Sequence, residues 1–493
     1  MSWSGGELEH NMDNPGDDVR RTTAVLLIVG LVLAPAAAQA RDPMLLIDEQ
    51  GLEVRMHLQA GVNAVAEQNL FWNFADTFAP TSGFDSDTRW LEGYLMPGIS
   101  FTADVGEQFA LYGKLSVVAS GTLGTDAFDA GSTGAVALED AYLGLRTTAE
   151  AGIFFDISFG PRPFKAGTGM LIANGGSSGF ERGALKLGPR KAWEQAAILR
   201  FGRDDLAATA FYIDANELSN KDSGTKILGT DLRYEVDEDR YAGLTFGHVV
   251  NSNSPYPRAA AGGIGPPVVL PGARDGLSFI NAYGRANPFE GTLAGFFVGG
   301  DFAYQWNPEI NLQAWGGRFQ IGYAFEEMSW APTISYSYQT FSGDDPSTSR
   351  LERFDPLYYE GNPSSWSTGT KSSMMFLNSN VNAHQVSLQV KPSAADTWTL
   401  RYAHIRANEL NSPIQFGQGT RLDDVDGTPT PMAGVSNRHL ADDIYLEYSR
   451  VINPNTFLTA GASISFPGKG VDSLTKENSP NWLGGFVNVI VNL

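Results

Sequence analysis

The chain has 493 residues, a formal net charge of −21, 55 glycines and no cysteine. The charge argues against nucleic acid as a partner. The missing cysteines exclude disulfides and thiolate metal sites.

The first element is Arg20–Ala40, RRTTAVLLIVGLVLAPAAAQA, behind a polar extension over residues 1–19. Two arginines, a short apolar run and a terminal A-x-A pattern predict a secretory signal peptide cleaved after Ala40. The apolar run is shorter than the ~20 residues a membrane helix needs. Residues 1–40 hold five acids and two bases, so the mature chain, 41–493, carries −18. It is expected to form a single domain.

Alternation then replaces helical periodicity. GLEVRMHLQA sets Leu52, Val54, Met56 and Leu58 against Glu53, Arg55, His57 and Gln59. Successive strand residues face opposite sides, so this predicts a strand with one apolar and one charged face. FFDISFGPR, ILGTDLRYEV, LAGFFVGGDFAYQW and AWGGRFQIGYAF repeat the pattern. Roughly eighteen such segments are predicted, starting near 51, 89, 107, 137, 152, 194, 205, 225, 239, 276, 292, 311, 331, 381, 396, 439, 456 and 482, with an uncertainty of about two strands.

A soluble sandwich and a membrane barrel both give this alternation. Three features favour an all-β, transmembrane antiparallel β-barrel of the Gram-negative outer membrane, with 16–18 strands. The strands have the ~10-residue length of tilted spanning strands. Trp90, Tyr94, Tyr304, Trp306, Trp398 and Trp482 are expected in interfacial aromatic girdles. Short turns, such as WNPEIN and RVINPNTF, alternate with long loops at 70–88, 121–136, 251–275, 342–380 and 411–438. The Gly/Pro-rich Ala259–Gly272 is expected to be mobile or folded over the barrel mouth.

RLERFDPLYYEGN, residues 350–362, is too aromatic for a solvated loop and too broken by Pro356 for a strand. It is expected to pack against the upper wall or fold into the mouth, with Arg353 facing the lumen.

Three pieces of sequence resemble the alginate-export family of outer-membrane barrels: LEDAYLGLR with FDISFGPRPFKAGTGMLI, RGALKLGPRKAW, and the run from VGGDFAYQW through ISYSYQTFSGDD and RFDPLYY to ANELN. The FDPLYY block is the most specific. The resemblance implies an eighteen-stranded channel whose lumen is ringed by arginines and carboxylates, and an anionic polysaccharide as cargo. It also matches Arg162, with Lys165 behind it, to the family's basic step after the fifth strand.

The residues themselves support a charged lumen. A polyuronate carries one carboxylate per sugar, and arginine binds carboxylate through a planar, permanently charged fork. Rings of Arg or Lys make pores anion-selective. The polar faces place Arg55, Arg146, Arg162, Arg200, Arg233 and Arg318 inside, and Arg353 joins them from the loop. Segment 160–203 also holds Lys165, Arg182, Lys186, Arg190, Lys191 and Arg203 beside only two acids. The lumenal acids Asp140, Asp156, Asp231, Glu235, Asp301 and Glu447 offer the alternative role for any one arginine, a wall-bracing ion pair.

Acidic stretches FDSD, SGDD, RLDDVDG and ADD are assigned to outer loops, where lipopolysaccharide and divalent ions meet them. They would help to release an anionic polymer. DDVDG is read as a solvated loop, and no metal site or cofactor is expected.

The six histidines, His10, His57, His248, His384, His404 and His439, accompany no G-x-S-x-G or H-E-x-x-H motif, so no catalytic residue is assigned. The expected surroundings are outer-membrane lipid and lipopolysaccharide, a polysaccharide or small solute, and periplasmic export partners. A porin for uptake of small solutes is the main alternative. An adhesin or structural barrel and an outer-membrane enzyme are more remote.

Overall fold

The computed structural model describes residues 43–493 apart from 79–82, 129–130, 149–151, 177–179, 361–370, 372–373, 415–419, 426–427 and 476–477. The predicted signal segment lies outside the described residues. The compact unit that carries the fold comprises residues 46–493.

Eighteen strands build the barrel: β1 (Leu52–Gln68), β2 (Arg89–Val105), β3 (Phe109–Gly124), β4 (Gly134–Thr147), β5 (Ile153–Phe159), β6 (Gln195–Arg203), β7 (Leu206–Asp214), β8 (Lys226–Asp237), β9 (Arg240–Asn251), β10 (Ser278–Ala286), β11 (Phe296–Asn307), β12 (Leu312–Ala324), β13 (Thr333–Phe341), β14 (Val381–Val390), β15 (Asp396–Ala407), β16 (His439–Asn453), β17 (Thr456–Pro467) and β18 (Trp482–Asn492). Each predicted start lies within four residues of an observed one. Neighbours pair in chain order, and β18 pairs antiparallel with β1 from Gln59↔Asn492 to Gln68↔Leu483. Leu58 and Leu493 exchange backbone hydrogen bonds of 2.9 and 2.8 Å at the seam. Closure leaves the barrel sheet without a free edge, which a membrane-spanning sheet requires.

The apolar face is on the outside, which excludes the sandwich. Leu228, Leu232, Tyr234 and Val236 of β8 are exposed, whereas Gly229 and Asp231 between them are buried. The other strands with clear alternation do the same, with Phe302 at 55% exposure and Leu143 at 57%. Such a surface is stable only against lipid.

The hydrophobic cluster instead lies inside, towards the long-loop end. Leu70, Trp72, Leu171, Ile172, Trp193, Phe354 and Leu357 from the connections pack with the inward wall residues Phe279, Ala303, Ala314 and Phe341. Trp90, Tyr94 and Trp482 belong to this inner side and are buried, contrary to the expected girdle. Tyr304 and Trp398 do face outward. The WNPEIN turn joins β11 to β12 at the long-loop end, because odd-numbered strands run towards that end. Within Ala259–Gly272 and its flank, Tyr256–Arg258 pairs with Val268–Leu270 as a small hairpin.

Candidate functional site: a cationic track in the lumen

On the β3–β6 wall, strand register sets three basic residues close together. Asp156 of β5 is the direct partner of Arg146 on β4 and of Arg200 on β6. Arg162 follows β5 and returns to the same wall, where its Nη1 donates to Ser158 Oγ at 2.7 Å. Each guanidinium lies over an aromatic ring: Arg146 over Tyr112 at 5.0 Å, Arg162 over Tyr142 at 4.3 Å and Arg200 over Phe154 at 5.2 Å. Stacking holds the plane of an arginine while leaving N–H groups on its edge able to donate.

The nearby carboxylate of Asp156 accepts from the Tyr112 hydroxyl at 2.5 Å. Among the described residues, none of Arg146, Arg162, Lys165 and Arg200 has a carboxylate at ion-pair distance. Arg146, Lys165 and Arg200 are exposed to the lumen. Gly144 allows the arrangement, since a Cβ there would lie 2.4 Å from Cζ of Tyr112, the ring beneath Arg146.

Other predicted lumenal residues are paired. Arg55 meets Glu53 at 3.3 Å and Arg233 meets Glu235 at 2.6 Å. Arg318 donates to Asp301 at 2.8 Å, Glu360 at 2.7 Å and Thr168 at 2.9 Å, joining β11 and β12 to two loops. Asp140 pairs with Lys114 at 2.9 Å. Asp231 accepts from Thr245 at 2.6 Å and Tyr283 at 3.0 Å, and Glu447 accepts from Tyr445.

The basic segment that follows β5 divides by role. The described residues of 160–194 fold inside the barrel, and much of their charge anchors the loop. Lys186 Nζ donates to Glu67 at 3.0 Å, and Arg182 donates to the Glu217 carbonyl at 2.7 Å. Arg190 is buried, and burial lowers its pKa to about 10, with Arg182 adding to the effect and Glu139 opposing it. The wall acids Glu67, Glu92 and Glu139 are the receptors for this loop. Glu92 accepts from the backbone of Lys186 and Leu187 at 3.2 and 2.8 Å. Glu139 accepts from Lys191 and Ala192 at 2.8 and 3.0 Å. A bulge opposite Ser116–Val117 lets adjacent Glu139 and Asp140 both be buried on the inner side. Glu67 also binds Lys371 of the 342–380 loop, so one carboxylate ties two loops to β1.

FDPLYY is the junction between these loops. Phe354 packs on Phe341 at 5.3 Å, and Tyr358 on Trp193 at 5.3 Å. The Asp355 backbone exchanges hydrogen bonds with the Gln305 side chain at 2.8 and 2.7 Å, and its carboxylate pairs with Arg274 at 2.8 Å. The Tyr358 N–H donates to the Leu171 carbonyl at 2.9 Å. The described part of the loop packs inside the mouth and against the wall, in line with the expectation. Arg353 does not face open lumen: it is 5% exposed with Tyr256 beside it, and burial lowers its pKa.

SGDD lies in the 342–380 connection as expected, with Asp344 turned inward, whereas the loop assignment of ADD is corrected. Asp344 of SGDD is buried and accepts from the backbone of Ala259 and Glu352 at 2.6 and 2.8 Å. Asp442 and Asp443 lie within β16.

Residues 282–484 match the family model described as alginate export. The match bears out the resemblance over the run from VGGDFAYQW to ANELN, and the pieces at 138–172 and 182–193 lie outside the matched residues. No curated protein sequence matches the chain. Among solved structures, Pseudomonas aeruginosa OccK5 (OpdH) is 9% identical, aligns over 89% of this chain and 98% of its own, and gives a TM-score of 0.49. Pseudomonas aeruginosa OccK2 (OpdF) in complex with glucuronate is 10% identical over 89% and 96% of the two chains, with a TM-score of 0.47. Vibrio cholerae OmpT lacking loop L8 is 11% identical over 90% and 100%, with a TM-score of 0.40. The closed barrel and the family match make this chain an outer-membrane channel.

Proposed function

We propose that this alginate-export family barrel passes an anionic polysaccharide of the polyuronate class across the outer membrane. Arg146, Arg162, Lys165 and Arg200 form the cationic side of its path. The supporting observation is three stacked arginines on one wall whose N–H edges meet no carboxylate at ion-pair distance among the described residues, in a lumen where the other basic residues considered are mostly paired or buried. A carboxylate sliding past can exchange between such edges without leaving a buried charge orphaned. Arg55, Arg233, Arg318 and Arg353 belong instead to wall and loop bracing. No catalytic residue is assigned, and periplasmic export partners would deliver the polymer.

Passage of small solutes is the second reading. A recess of about 330 Å³ lined by Thr168, Glu238, Asp239 and Arg285 favours it, because the two acids and the arginine offer both charge signs at one wall. Planar-bilayer conductance separates the two. Block by a polyuronate at concentrations where the monomeric uronate has no effect, weakened in Arg162→Ala, supports the polymer path. Equal block by monomer and polymer, or none by either, overturns it.

A further inference from the structure

The outer wall carries a second polar constellation that the channel does not use. Tyr338, His384, His404 and Asp442 are successive register partners across β13, β14, β15 and β16. Their parity is that of exposed Val386, Leu400 and Ile444, so the row faces outward. It sits near the long-loop end, since His439 opens β16 directly after the 408–438 connection. Ionisable groups on a lipid-facing wall are unfavourable, least so near the interface, and call for an explanation.

We propose that His404, His439 and Asp442 bind a divalent transition metal of the zinc class on this outer rim. His404 Nδ1 lies 2.8 Å from Asp442 Oδ1, and His439 Nε2 lies 2.8 Å from Asp442 Oδ2. One ligand atom from each residue falls within 4.8 Å of the other two. The imidazole rings are stacked, with centroids 4.9 Å apart. Two imidazoles with one carboxylate suit zinc and its neighbours, whereas calcium and magnesium prefer oxygen ligands.

The surroundings hold these donors in place. Tyr402 donates to Asp442 Oδ1 at 2.7 Å, the kind of outer-shell bond that orients a ligating carboxylate. Gly468 lies so close to His439 that a Cβ would be 2.7 Å from its Cγ, so the start of the 468–481 connection seats the ring. His384 is engaged elsewhere, through the Tyr336 hydroxyl at 2.7 Å and the Tyr338 ring at 4.8 Å. Each imidazole binds the metal through the nitrogen now turned to Asp442, and its proton moves to the other ring nitrogen. A fourth position stays open to water. The ion would clamp β15 to β16 at the base of the 408–438 connection. The sequence reading assigned no metal, because the ligands are 35 residues apart on two strands and match no ligand-spacing motif.

The test uses the refolded full-length barrel without a polyhistidine tag, titrated with Zn²⁺ against a chromogenic chelator. One Zn²⁺ per chain is expected, with affinity lowered more than about 100-fold in His404→Ala and in His439→Ala. His57→Ala and His248→Ala serve as controls and should bind as the parent does. Heat-modified gel migration establishes that each variant is folded. Absence of Zn²⁺ binding in the parent, or undiminished binding in folded His404→Ala/His439→Ala, overturns the proposal. Neither result bears on the polyuronate path.

Discussion

Replacing Arg318 with methionine tests whether this arginine braces the wall or serves the cargo. Its side chain is 1% exposed and that of its partner Asp301 is 0% exposed. The substitution removes the hydrogen bonds to Asp301, Glu360 and Thr168. Glu360 remains partly exposed and can be hydrated, whereas Asp301 keeps, among the described residues, the Thr168 bond of 2.5 Å. Breaking a buried pair by removing one partner costs about 3–5 kcal/mol, and the retained Thr168 bond argues for the lower end, about 3 kcal/mol. Arg318→Met/Asp301→Asn removes the stranded charge as well, so the double variant should be more stable than Arg318→Met alone. Urea unfolding in lipid vesicles, followed by tryptophan fluorescence, gives both values. A single-variant loss below about 1 kcal/mol, within the range of an exposed pair, would refute the reasoning. So would a double variant less stable than the single one.

Phe354→Ala deletes a fully buried ring from the FDPLYY junction, a change worth about 3–5 kcal/mol in a packed core. The barrel strands should stay intact while the 342–380 loop becomes cleavable by an external protease; equal cleavage of parent and variant would contradict the packing role. Lys371 is buried beside Glu67, and burial, reinforced by Lys186, lowers its pKa from 10.5 to about 8. Between those values the unfolded chain binds more protons than the folded one, so stability should rise with pH through that window, by on the order of 3 kcal/mol. Urea midpoints across the window should show the rise in the parent and not in Lys371→Met.

The strands are legible because alternation needs only local sequence, and the apolar residues of the alternating segments in β8, β11 and β12 are the ones that face outward. Sidedness was harder where both faces are apolar or aromatic. Trp90 and Tyr94 sit in such a stretch, RWLEGYLM, and a one-residue change of parity exchanges the faces. The bulge at Glu139 resets parity in the same way, with no local marker. Arg162 and Arg200 could be placed on the inner wall from the strand pattern. That Lys186 is taken up in anchoring and Arg190 is buried could not, since Glu67, Glu92 and Glu139 lie on distant strands. The burial of Arg353 is illegible for a related reason: a loop sequence shows that aromatics need cover, but not which neighbours will provide it.

The central claim is that the stacked arginines of the β3–β6 wall, which meet no carboxylate at ion-pair distance among the described residues, govern passage. The most direct measurement is the reversal potential across a salt gradient, comparing the parent channel with Arg146→Gln/Arg162→Gln/Arg200→Gln. An anion-selective parent whose preference is lost or inverted in the triple variant is the predicted result. A cation-selective parent, or a selectivity the triple variant leaves unchanged, would contradict the account.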